Sequence, residues 1–118
     1  MTREEFRNAV ADAMDSLPAK FRREIENVAV LVEDRPEEEL PSKPGEPKQL
    51  LLGIFHGLPR TYPYRWSMGI PPSRIVLYQK NIEAVCHNDE EIREQVRRTV
   101  IHEFGHYFGM TEEQLKGV

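Results

Sequence analysis

Cysteine is almost missing from this chain: among 118 residues only Cys86 carries a thiol, so no disulfide can form within it. Cross-linking is thereby excluded as a source of stability, and nothing points to an oxidising compartment. Nowhere do about eighteen apolar residues run together, so no helical membrane span is read. The opening Met1-Thr2-Arg3-Glu4-Glu5-Phe6 lacks the apolar run of a secretory leader, and the cytoplasm is the expected location. Long basic tracts are lacking too. The 16 Lys and Arg are interspersed among 20 Asp and Glu for a net charge of −4, which disfavours a nucleic-acid partner. A peptide or small polar ligand is expected instead. No internal repeat is visible. With 39% hydrophobic and 31% charged residues, the composition fits one small core under a heavily charged surface. Residues 1–118 are therefore read as one domain.

What is present is punctuated by proline. Eight of the nine prolines fall in two segments, Arg35 to Gln49 and Leu58 to Ser73, which read as loops and leave the stretches between them uninterrupted. Glu37-Glu38-Glu39 in the first loop reads as a solvated acidic run. The second loop holds Tyr62, Tyr64, Arg65 and Trp66. Rigid aromatics and Arg in such a loop suit a substrate-binding rim, and Trp66 equally suits a plug at the core edge.

Ahead of the first loop, Thr2 and Glu5 form a capping-box pair, and Phe6, Val10, Ala13, Met14 and Leu17 recur at helical spacing. Pro18 ends that helix, with a further turn expected within Lys20 to Glu26. Val28 to Val32 is a short, continuous apolar run and reads as a buried strand. Leu50 to Phe55, closed by Gly57, and Arg74 to Tyr78 are the second and third strands. Asn88 with Glu91 caps a helix from Asp89 to about Phe108, which Gly109 stops. Thr111 and Gln114 open a last short helix. Cys86 reads as a small buried hydrophobe rather than a nucleophile. The class is α+β.

The chemistry concentrates in His102-Glu103-Phe104-Gly105-His106. Four residues apart on a helix, His102 and His106 lie about 40° from each other around the axis and one turn apart along it. Both imidazoles can then share one ion at roughly 2.0–2.1 Å, the bond length of Zn²⁺ to nitrogen. Glu103 lies about 60° beyond His106, off the ion but within reach of a water beside it, as a general base requires. Ile92, Val96, Val100, Phe104, Phe108 and Ile101 cover an adjoining arc for the core, flanked by Gln95 and Thr99. Gly105 costs about 1 kcal/mol against Ala inside a helix, which close approach by a neighbouring segment would explain. The spacing His106-x-x-Gly109-x-x-Glu112 resembles an extended zincin motif, which implies a third ligand there. Gly109 is suited to the left-handed turn that reverses the chain. Glu112 is the first choice and Glu113 the weaker glutamate; a site with no third protein ligand is the other alternative, since both acids also suit the first turn of a helix with no metal near. His56, His87, Tyr64 and Tyr78 are weaker candidates, Tyr78 being better explained by packing.

The stretch His102 to Leu115 resembles the metal motif of the small bacterial zincin-like metallopeptidases. Leu51-Leu52-Gly53-Ile54-Phe55-His56-Gly57 and Pro72-Ser73-Arg74-Ile75-Val76-Leu77-Tyr78 are similar to that family's second- and third-strand signatures. One departure is His56, where such sequences often carry an acid. The resemblance implies a minimal zincin-like fold, a short mixed sheet packed on an N-terminal helix and a metal-bearing helix. It also implies peptidase-like machinery with a peptide or protein substrate and Zn²⁺ as cofactor. The expected function is hydrolysis of peptide bonds through a metal-activated water, with Glu103 as base and His102, His106 and Glu112 as ligands. The rival is a non-catalytic zincin scaffold that binds metal and a protein partner. A closed structural site needs four protein ligands and no base, whereas this chain offers three ligands and Glu103.

Overall fold

The computed structural model describes residues 1–22, 28–39, 43–45, 49–57, 73–111 and 113. Helix α1 (Arg3–Asp15) starts as its capping box requires. The Thr2 hydroxyl accepts the Glu5 N–H at 3.0 Å and the Glu5 carboxylate accepts the Thr2 N–H at 3.1 Å. Each bond satisfies a donor that the first helical turn would leave orphaned. Phe6, Ala9, Val10 and Ala13 form its buried stripe, continued by Leu17. A short turn, α2 (Ala19–Arg22), follows Pro18, and the remainder of the turn expected as far as Glu26 lies outside the described residues.

Among the described residues three strands make one mixed sheet: β1 (Ala29–Glu33), β2 (Gly53–His56) and β3 (Arg74–Tyr78), in the order β1-β3-β2. β1 runs parallel to β3 with Val30 opposite Ile75, and β2 runs antiparallel with Ile54 opposite Val76. The central position of β3 accounts for its burial, four consecutive residues from Ile75 to Tyr78 being out of solvent. β1 was expected to be buried and is not. Among the described residues it is an edge strand, with Ala29, Leu31 and Glu33 facing out, and Leu31 is 44% exposed. A continuous apolar run suits a strand covered on both faces, but among the described residues only Val30 and Val32 of this strand pack against the core.

β2 is shorter and later than its apolar pattern suggests. Leu50 to Leu52 precede the strand but are still held: the Tyr78 N–H donates to the Leu52 carbonyl at 2.9 Å, and the Asn81 amide to the Leu51 carbonyl at 2.8 Å. Asn81 belongs to α3 (Gln79–Ala84), a helix that the periodicity does not reveal. It follows β3 directly, its N-cap Tyr78 makes no side-chain cap, and Ile82 is its one fully buried apolar anchor. Cys86 is half-buried against the core, and burial pushes its thiol up from the ordinary range.

The longest element, α4 (Asp89–Tyr107), lies across α1 on one side and β2 on another. Ile92, Val96, Val100, Phe104 and Phe108 are buried and join Phe6, Val10, Ile75, Leu77 and Ile82 in one core; Ile101 is half-buried against it. Among the described residues no helix is long and apolar enough to cross a membrane.

Candidate metal centre

Both ends of α4 are fixed by local chemistry, and this positions the histidines between them. At the start, the Asn88 side-chain oxygen accepts the Glu91 N–H at 2.8 Å. The reciprocal half of the expected capping box is displaced by one residue. Glu91 accepts the backbone N–H of His87 and pairs with His87 Nδ1 at 3.0 Å, which holds its carboxyl below the usual range. Asp89, Glu90 and Glu91 oppose the positive end of the helix dipole.

At the far end, Gly109 adopts φ +70°. Its N–H donates to the His106 carbonyl at 3.0 Å, and the Met110 N–H donates to the Gly105 carbonyl at 2.8 Å. These two bonds are the Schellman closure, in which carbonyls left over by the last turn are satisfied by the reversing chain. Behind the histidines, the Tyr107 ring packs 5.9 Å from Phe55 of β2 and 5.2 Å from Phe108. The C-terminal turn of α4 is thus braced against the sheet as well as closed on itself.

Within this frame His102 is half-buried and His106 exposed, with ring centroids 4.8 Å apart. Their Nε2 atoms face each other at 3.1 Å. Two ligands on one tetrahedral ion at zinc–nitrogen distances stand about 3.3 Å apart, so the donor pair fits a shared metal ion. Glu103 is 9% exposed, and ligand atoms of His102, Glu103 and His106 all lie within 4.8 Å of one another. Among the described residues this is the one such group of three. His56, at the end of β2 opposite Arg74, and His87, at the start of α4, lie outside it. Tyr78 is packed in the core, where burial raises its pKa. Glu112, Tyr62, Tyr64, Arg65, Trp66 and Gln114 fall outside the described residues, and Glu113 is exposed.

A cleft of about 300 Å³ opens on His102 and Glu103 of the group. Leu50, Leu51, Leu52 and Gly53 form one wall; Gln95, Arg98, Thr99, His102 and Glu103 of α4 form the other. The walls approach closely because residue 53 is glycine: a Cβ there would lie 2.9 Å from Thr99 Cγ2. Thr99 is held by donating to the Gln95 carbonyl at 2.8 Å and accepting from the Gln95 amide at 3.2 Å. The leucine wall and Arg98 escape the sequence reading. Leu50 to Leu52 pass for strand core, although Arg98, one turn before His102, carries the same i, i+4 signal as the histidine pair.

The sequence profile of a family described as zincin-like metallopeptidase matches residues 25–118, which include both walls and the histidine pair. The chain belongs to that family. Membership implies a divalent metal, and the His-Glu-His group is placed to bind one. Among curated proteins none matches the chain. Among solved structures, a conserved hypothetical protein from Thermo thermophilus is similar, with a TM-score of 0.59, 24% identity and 98% of each chain covered. At that identity the likeness shows the fold alone. The α+β, minimal zincin-like architecture agrees with the expectation from sequence.

Proposed function

We propose that this zincin hydrolyses peptide bonds with Zn²⁺ as its metal. The observation that carries the proposal is the 3.1 Å approach of the two Nε2 atoms with the Glu103 carboxylate beside them, His102 and Glu103 both lining a cleft. His102 and His106 would hold the ion, with Glu112 proposed as the third protein ligand. Bound there, it would lower the pKa of a water toward neutrality and polarise the substrate carbonyl.

Glu103 supplies the proton chemistry. Its carboxylate accepts the proton of the attacking water and returns it to the departing amine nitrogen. The carboxylate is 9% exposed and lies beside the two imidazoles, within reach of a water shared with them. Substrate positioning falls to β2. It is the second edge strand of the sheet, bonded to β3 on one side, and among the described residues no strand lies on its other side. A peptide in extended form can pair with such an edge and present one carbonyl to the site.

The test uses the purified protein. Elemental analysis should find close to one zinc per chain, largely lost in His102→Ala and His106→Ala. Glu103→Gln should keep zinc and fold while losing on the order of a hundredfold or more in cleavage of an unstructured protein, since an amide cannot accept the water's proton. Equal cleavage by wild type and Glu103→Gln, or none by either, would favour the metal-binding scaffold. Full zinc in both histidine variants would refute the metal assignment itself.

A further inference from the structure

Resting on that peptidase reading, we infer that Arg98 selects substrates carrying a carboxylate about two residues from the scissile bond. The cleft has one aliphatic wall, Leu50 to Leu52, and a polar wall on which, among the described residues, Arg98 carries the only cationic head.

That charge is only partly neutralised. Arg98 Nε reaches one oxygen of Glu94 at 3.2 Å, but Arg97 already binds both oxygens of the same carboxylate, at 2.7 and 3.1 Å. The bidentate partner dominates, because two parallel N–H···O bonds outweigh one shared bond. Two guanidiniums on one carboxylate leave a unit of positive charge, and of the three groups only Arg98 lines the cleft. Its side chain is 68% exposed, so its remaining N–H donors are open to a ligand.

Position fixes which part of a substrate is read. Arg98 precedes His102 by four residues, on the same helical face and about 6 Å along the axis. Helical side chains lean toward the N-terminus, which carries the guanidinium somewhat further from the histidines. An extended peptide advances about 3.3 Å per residue, so one lying along α4 places its group at Arg98 about two residues from the carbonyl at the metal centre. A Glu suits the place best, with methylenes against the leucines and its carboxylate on the guanidinium. A peptide's terminal carboxylate has the same chemistry.

The experiment measures binding separately from cleavage. Zinc-loaded Glu103→Gln protein, alone and combined with Arg98→Gln or Arg98→Glu, is titrated with fluorescein-labelled decapeptides capped at both ends. Each peptide carries Glu, Gln or Lys at one scanned position; an uncapped series tests the terminal carboxylate. The Glu peptide should bind about five- to tenfold more tightly than the Gln peptide, at one position, with the ratio shrinking as salt rises. Arg98→Gln should bring the ratio near one, and Arg98→Glu should favour Lys. A preference confined to uncapped peptides assigns the carboxylate to the chain terminus. Equal binding of Glu and Gln peptides, with wild-type cleavage intact, overturns the role of Arg98 and leaves the peptidase standing. Absence of both peptide binding and wild-type cleavage overturns both.

Discussion

A methyl group at position 53 would meet Thr99 Cγ2 at 2.9 Å, Leu77 Cδ2 at 3.1 Å and the Val76 carbonyl oxygen at 3.2 Å. The side-chain methyls can give way, whereas the carbonyl belongs to the central strand. Gly53→Ala should therefore cost roughly 1–3 kcal/mol of stability, as overpacking does, readable from urea unfolding. Thr99→Ser removes Cγ2 and keeps the hydroxyl bonded to the Gln95 carbonyl. Added to Gly53→Ala, it should restore part of the loss. Strictly additive costs would show that Thr99 is not the obstacle. This contact could not be read from the sequence, because it depends on which helix lies over β2. The histidine pair could be read, since i, i+4 spacing on a helix fixes their relation without reference to the rest of the fold.

At the scale of elements, what was legible were the ends of helices. Thr2 with Glu5, Asn88 and Gly109 act through bonds spanning six residues or fewer, so local sequence determines them. The burial of β1 was misread because exposure is decided by neighbours: an apolar run looks the same at an edge as at the centre. α3 escaped notice because six residues with one deeply buried apolar anchor carry no period to detect. The Schellman closure makes a prediction about the site. Gly109→Ala forces a Cβ into left-handed geometry, at about 1–2 kcal/mol, and loosens the reversal that leads from His106 toward residue 112. If Glu112 is the third ligand, this variant should lose zinc affinity along with stability. Glu112→Ala should then lose more than the roughly 10- to 100-fold typical of groups one shell out, and Glu113→Ala little. Unchanged affinity in both glutamate variants would leave the site with two protein ligands.

For the molecule as a whole, the core and the metal centre depend on different faces of α4. Phe6, Ile75, Leu77, Ile82, Val96, Val100 and Phe104 are all but sealed from solvent, while His106 is exposed and His102 half-buried above the cleft. Burial of that cluster does not need an ion, unlike small metal domains that have no other core. Chelation should therefore leave far-UV circular dichroism at 25 °C nearly unchanged. It should still lower the melting temperature, because a ligand that binds only the folded chain stabilises it. With free zinc at a hundred times its dissociation constant, that linkage amounts to about 2.7 kcal/mol. For a chain of this size it corresponds to a shift of roughly 10 °C, reversible on adding zinc back. His106→Ala should abolish the shift by removing a ligand at little cost to the core, its melting point matching that of the chelated wild type within a few degrees. Arg98→Gln, which touches the cleft but not the ion, should retain the full shift. Loss of the helical signal on chelation would mean that the metal, rather than the packing of α1 and β3 on α4, holds this zincin together.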